Sequence, residues 1–414
     1  MGSDRDGNET PASQFRNRRR MLIGGLGLGG SAALASVHPA LAADNAPPGD
    51  GTLNAKTFGA KGDGATDDTA AIQKAIDAAA RLNGRTVYLP PGAYALSSPL
   101  RITETRSVLL RGAGKRLVTQ LQPLPALADK PVVYFENAEH CGCADMTIHG
   151  GPRNATPLCA VQSHVKNPKQ FTPTYLYLTR LYIGYPGRHL QWGVRWTCEP
   201  GQDQNNEMAR ADDCAVSDWI DNFGFYIAHG NSECHQFDRC DIGGGKKGAI
   251  QLHGGSVQMV NSFFAGPGWL LDFQPGAYYH QSFVANTDAE RGGGWFRSAE
   301  GCKGVLDLFV VNFSPYAGVE HAPCIDWNAP DSMLSCVNCR MDPSVPGAYA
   351  HFGPKTRVGF SQCKLGIQHM EYAGHLSLVD NHIMYGLKLE KLGDGKLFTQ
   401  GNSNFRRPAD EGWR

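Results

Sequence analysis

The side chains that could act together on a ligand gather between residues 225 and 297. Asn286-Thr287-Asp288-Ala289-Glu290-Arg291 leaves an apolar run and enters a glycine-rich turn, bringing two carboxylates and a guanidinium close together. Such a pair could flank a glycosidic bond as acid and base or nucleophile, or give oxygens to a calcium ion. Lys246-Lys247 occupies the turn from Gly243 to Gly248. An ammonium there suits removal of a proton α to a carboxyl group, or a clamp on that carboxylate. His229 and His253 offer proton transfer near neutral pH. Gln251 and Arg297 suit hydroxyls and carboxylates, while Trp269 and Trp295 suit the apolar faces of sugar rings. Each has a plainer alternative: a solvated turn, a satisfied structural histidine, or tryptophans covered by long loops.

The elements that must position these residues are short and repetitive. Beyond Leu109 there is no long amphipathic pattern; apolar runs recur at a solenoid's spacing. Gly224-Phe-Tyr-Ile-Ala-His229, Gly248-Ala-Ile-Gln-Leu-His253, Gly268-Trp-Leu-Leu-Asp-Phe273, Gly294-Trp-Phe-Arg-Ser-Ala299 and Gly347-Ala-Tyr-Ala-His-Phe352 lie under one another. Alternation puts Tyr226, Ile250, Leu270, Phe296 and Tyr349 inward. The other phase carries Phe225, Trp269 and Trp295, then Gln251 and Arg297, then His229 and His253. Asp272 falls in the inward phase as a buried, hydrogen-bonded acid. A second ladder matches Phe237-Asp-Arg-Cys240, Met259-Val-Asn-Ser262, Phe283-Val-Ala-Asn286, Cys336-Val-Asn-Cys339, Phe360-Ser-Gln-Cys363 and Leu378-Val-Asp-Asn381. It predicts a column of Cys, Ser and Asn inside a bend, bonding to one another. The polar insert from Trp196 to Cys214 is too long for a plain turn and is placed as a specificity loop.

Lys56 to Ile102 organises the start. Gly62-Asp63-Gly64 is a turn needing positive φ, and Thr66, Asp67 and Asp68 offer oxygens to a helix start. Ile72, Ala75, Ile76, Ala79 and Leu82 make one apolar stripe, so a helix is expected over Asp67–Leu82. Thr86–Leu89, Tyr94–Leu96 and Leu100–Ile102 read as short strands. The pattern Phe58-Gly-Ala-Lys-Gly-Asp63-Gly-Ala-Thr66-Asp67-Asp68, continued by Val87-Tyr-Leu-Pro-Pro-Gly-Ala-Tyr94, resembles the start of the pectate-lyase-like superfamily, in its rhamnogalacturonase/epimerase-like branch. That resemblance implies an all-β, single-stranded right-handed parallel β-helix with an N-terminal capping α-helix. It also implies that Asp63, Asp67 and Asp68 are structural, and that the protein acts on a polysaccharide. Asn286-Thr287-Asp288 resembles the Asn-Thr-Asp-Gly motif of polygalacturonases, with Ala289 in place of the glycine. Asp212-Asp213-Cys214 resembles their Asp-Asp-Cys but lies upstream instead of downstream.

Residues 1–43, with Arg18-Arg19-Arg20 before an apolar Gly-rich stretch and Ala40-Leu41-Ala42 as cleavage site, resemble a twin-arginine export signal. Residues 44–54 are a flexible lead-in, 55–400 the β-helix and 401–414 a polar tail. A periplasmic or extracellular protein, cleaved near Ala42, is expected. Formal charge is zero, which argues against nucleic acid or an anionic membrane as partner. The partner expected is a polysaccharide, and the assembly a monomer or homotrimer. Twelve cysteines invite a disulfide reading, yet stacked buried thiols fit the ladder better. Cys336 and Cys339, placed on a strand, should face opposite sides. The function expected is cleavage of an acidic polysaccharide by β-elimination. A hydrolase of polygalacturonase type is the alternative, and a non-catalytic binding protein or an epimerase follows. Asp288, Glu290, Arg291, His253 and Lys247 are the catalytic candidates; Trp269, Trp295, Arg297, Gln251 and His229 are the binding candidates. Calcium on Asp288 and Glu290 is the one cofactor suggested.

Overall fold

The structure, a computed structural model, describes residues 51–167, 169, 174–199, 207–228, 234–243, 245–275, 280–290, 294–313, 323–342, 347 and 349–404. The export signal, the lead-in up to residue 50, His229, Arg291, part of the insert and the tail beyond residue 404 lie outside the described residues. Among those residues no helix is long and apolar enough to cross a membrane, which says nothing of β-barrels.

Every inter-strand ladder pairs parallel strands one coil apart, which winds the chain into a right-handed β-helix. Three faces result. The first runs from Leu53–Asn54 to Lys396–Gln400, and the second from Asp63–Asp67 to His382–Ile383. The third is a 12-stranded sheet from Leu100–Arg106 to Lys388–Lys391. Gly142–Ile148, Tyr177–Ile183, His280–Glu290 and Gly304–Phe313 run unbroken from the first face onto the second. A residue with left-handed backbone makes that bend in successive coils, with φ of 58° at Asp145, 49° at Arg180, 50° at Asp213, 51° at Arg239, 51° at Asn261, 47° at Asn286, 54° at Val310, 54° at Asn338, 54° at Gln362 and 53° at Asp380. Asn and Asp tolerate this region best among residues with side chains.

The cap forms for the reasons its residues suggest. The helix spans Thr69–Arg81 and buries Ile72, Ala75, Ile76 and Ala79. Burying an Ile side chain contributes about 2 kcal/mol. Asp67 caps the helix, its Oδ1 accepting from the Thr69 N–H at 3.0 Å. Asp68 instead ties down the glycine turn, accepting from the N–H of Lys61 at 2.6 Å and of Gly62 at 2.9 Å. Asp63 accepts from the N–H groups of Ala65 and Thr66, which hold its carboxyl down at about 2. Gly62 cannot carry a side chain: φ is +67°, and a Cβ would meet the Tyr94 ring at 2.9 Å.

Just past the bend the next backbone N–H enters the core, and a side chain from the following coil meets it. Cys240 N–H donates to Ser262 Oγ at 3.1 Å and Ser262 N–H to Thr287 Oγ1 at 3.4 Å. Cys339 N–H donates to Cys363 Sγ at 3.4 Å, and Cys363 N–H to Asn381 Oδ1 at 2.9 Å. Asn381 N–H donates to Asn402 Oδ1 at 2.9 Å. All twelve cysteines are free thiols, ten of them buried.

Two expectations about this region need correction. Met259 is level with Val284, so the ladder shifts by one at His280–Glu290; Thr287 takes the inner place and Asn286 makes the bend. Cys336 and Cys339 both point inward, 1% and 2% exposed, because the left-handed turn at Asn338 lies between them and resets the alternation.

Candidate active face

The third face carries one outward residue per coil in an unbroken file. Its members are Arg101, Tyr134, Gln162, Arg195, Tyr226, Gln251, Asp272, Arg297, Asp326, His351, Glu371 and Glu390, each in register with the next. Parallel strands stand about 4.8 Å apart, so the file is a row of side chains at nearly one sugar's repeat. Its residues alternate with Val194, Phe225, Ile250, Leu271, Phe296 and Ile325, all buried.

The centre of the file is a continuous cluster. The Arg195 guanidinium lies 5.7 Å from the Trp192 ring centre and 5.2 Å from that of Tyr226. Trp192 and Tyr226 are 4.6 Å apart, and His253 meets Tyr226 edge-on at 5.3 Å. Burial lowers the His253 pKa, with the Asp272 charge working against that shift, so the imidazole is neutral at neutral pH. Next along, Asp272 is covered completely. It receives the Arg297 fork at 2.6 and 2.9 Å, Gln251 Nε2 at 2.8 Å and Gln274 Nε2 at 2.7 Å. Arg297 also lies 5.5 Å from the Trp269 ring centre. Trp269 lies flat over Gly294, where any Cβ would meet the ring at 2.3 Å. Nearer the cap, Tyr134 donates to Glu136 at 2.7 Å and Arg101 stacks on the Tyr134 ring at 5.0 Å. His164 Nδ1 lies 2.8 Å from Thr197 Oγ1.

Of the residues expected to act, Trp269, Arg297, Gln251 and His253 come together here. Lys247 is exposed at the rim, its C=O accepting from the Trp269 N–H at 3.0 Å. Trp295 does not join them. It is 0% exposed and packs against Phe313 inside, 5.1 Å between ring centres. The reason is a break in the pleat where each third-face strand begins: the ladders pass from Trp269/Gly294 to Leu271/Phe296. The skipped positions, among them Val132, Ala160, Leu270, Trp295 and Cys324, are all buried. Trp269 therefore matches Gly294, not Trp295.

The same shift reverses Tyr226, which faces out, and puts Phe225 in. Tyr349 likewise lies half-exposed, level with His369, and the buried neighbour is Ala350. Asp272 is buried as expected, but on the outer file beneath Arg297.

Asp288 and Glu290 sit on the second face, level with Phe263 and Ala265, away from the file. Asp288 Oδ1 is 3.4 Å from Asn312 Nδ2. Calcium takes six to eight oxygens. Two half-buried carboxylates with one amide, Oδ1 already engaged, do not supply such a set among the described residues. Trp192, Arg195 and Tyr134 were not singled out from the sequence; the alternation in Trp192-Gly-Val-Arg195-Trp-Thr-Cys198 would have extended the file upward.

This geometry defines a right-handed β-helix presenting a polar and aromatic file on one open sheet. The sequence profile of the rhamnogalacturonase A/epimerase, pectate lyase-like family matches residues 52–123, and together with the fold it supports a pectate-lyase-like parallel β-helix. Mannuronan C5-epimerase AlgE3 of Azotobacter vinelandii is 40% identical over 113 residues, 25% of this chain and 6% of that protein. Alginate lyase 7 of the same organism is 68% identical over 44 residues, 11% of this chain and 5% of that one. The chain thus spans a small part of these relatives' length. Among solved structures, the A-module of the A. vinelandii epimerase AlgE6 superposes with a TM-score of 0.57 at 18% identity, over 86% of this chain and all of that module.

Proposed function

We propose that the protein is an enzyme acting on a uronate-containing polysaccharide laid along the third-face file, and that it removes the proton α to the uronate carboxylate. The observation that carries this reading is the group Arg195, Tyr226 and His253: a cation and a neutral imidazole each set against the ring of one phenol, all half-buried on the third face. Arg195 would neutralise the carboxylate and the enolate-like charge that develops from it. His253 would take the proton, since burial keeps it neutral. Trp269, with Arg297 held against it by Asp272, would support a sugar further along.

Tyr226 and His253 rise from one wall, which suits β-elimination: the imidazole takes the proton and the phenol supplies one to the departing glycosidic oxygen. C5 epimerisation shares the first step and returns a proton to carbon instead. The epimerase names among the relatives favour it as the second reading. The test is incubation with polymannuronate and polygalacturonate in D2O. Elimination gives shorter chains with an unsaturated, ultraviolet-absorbing end; epimerisation gives unchanged length, altered sugar composition and deuterium at C5. Binding with neither product would leave a non-catalytic polysaccharide-binding protein and overturn the proposal.

A further inference from the structure

The far end of the third-face file differs from its centre. His351 and Glu371 are neighbours in the file on strands Tyr349–Phe352 and His369–Tyr372, and Glu390 follows on Lys388–Lys391. His369 stands two residues before Glu371, on the same side of its strand. His369 Nε2 is 3.2 Å from Glu390 Oε2, and His351 Nδ1 is 3.1 Å from Glu371 Oε2. One donor atom each from His369, Glu371 and Glu390 lie within 4.8 Å of one another. All three are half-buried, and two consecutive ladders fix their backbones.

We propose that His369, Glu371 and Glu390 bind a divalent transition-metal ion of the zinc class, with His351 holding the Glu371 carboxylate from outside. One imidazole and two carboxylates are a donor set for zinc, not for calcium or magnesium, which take oxygens. Donors around a tetrahedral zinc at about 2.0–2.2 Å stand about 3.3 Å apart. The His369–Glu390 separation of 3.2 Å already meets that, and Glu371 has only a rotamer adjustment to make. The side chains of His369 and Glu390 are 25% and 42% exposed, so an ion can reach them from solvent. Lys388 Nζ now lies 2.8 Å from Glu390 Oε2 and occupies part of that approach as a competing cation. The side chain is 68% exposed, so it can swing away when the ion enters. The proposal does not rest on the enzymatic reading above.

The full chain, freed of metal, is titrated calorimetrically with zinc chloride, and separately with cobalt chloride followed in the visible and near-ultraviolet. One equivalent per chain is expected, with a visible cobalt band and no thiolate charge-transfer band. H369A and E390Q should each weaken binding by about 100-fold, and H351A, which loses only an outer partner, by about 10-fold. Unchanged circular dichroism and thermal midpoints would confirm that these variants fold. K388M removes no ligand and should bind more tightly. Absence of binding at millimolar zinc, a thiolate band, binding that survives H369A with E390Q, or a K388M variant no tighter than the parent would each overturn the proposal.

Discussion

The column inside the bend and the file on the third face are built by the same register, one residue per coil, yet they settle their polar groups in opposite ways. Inside, each side chain is small and meets the backbone of the neighbouring coil, as Ser262 does for Cys240 and Asn381 for Cys363. Its bonds close on themselves. On the outer file Asp272 is sealed by Arg297, Gln251 and Gln274, while Arg195 and His253 flank the Tyr226 ring and stay half-buried. Periodicity by itself therefore does not mark function. What separates the columns is whether a polar side chain ends on the backbone of the neighbouring coil, as Ser262 does inside, or on another side chain of the outer file, as at Asp272–Arg297 and His351–Glu371.

Substitutions that cut one column and spare the other sharpen this contrast. The largest effect is expected at His253. H253A should lower turnover about 1,000-fold on a uronate polymer, as loss of a general base does, while moving the denaturation midpoint little. Equal loss of both would merge the two columns into one structural role. Next comes D272N on the sealed part of the file. Arg297 loses its ionic partner and Trp269 its brace, for about 2–3 kcal/mol in urea unfolding, below the full buried-pair cost because the Arg297 side chain is 37% exposed.

The interior also predicts a pH dependence. His235 is fully buried against Trp196, and burial pushes its pKa down to about 3, while burial takes His149 down to about 4. Below about 6.5 the unfolded chain binds protons that these folded imidazoles refuse. Stability should then fall as pH drops, by about 1.4 kcal/mol per unit for each group, until its folded pKa is reached. H235F should remove one share of that slope; an unchanged slope would show that His235 is not held neutral. Smallest is T287V in the inner column, which removes the acceptor of the Ser262 N–H and should cost about 1 kcal/mol with turnover unaffected.

Much of this was legible in the sequence, and the misses share one cause. The capping segment needs only local chemistry: a turn, an aspartate at the helix start and a 3.6-residue stripe, and its helix lies within a residue or two of expectation. The solenoid and its small-residue column were readable because apolar runs recur. The register was not. Glycines looked like natural anchors, but Gly248 is level with Phe223 and Trp269, not with Gly224 and Gly268. A slip of one residue exchanges inside and outside, which is why Tyr226 and Trp295 changed places. Strict alternation also fails at the pleat break and at left-handed Asn338, and neither announces itself in composition. Placing Asp288 beside the tryptophans needed the position of each bend, which decides the wall of the prism a residue occupies.

The thiols of the interior carry a practical consequence. Burial lifts Cys141, Cys159 and Cys324 to about 12, so at neutral pH they are almost wholly protonated and shielded from alkylating reagents. Cys141 and Cys159 flank the first two walls of one coil, and Cys324 lies several coils further on, in the strand Pro323–Trp327. Timed labelling with a maleimide, read by peptide mass, would therefore report whether the coil of Cys141 and Cys159 opens before or after that of Cys324.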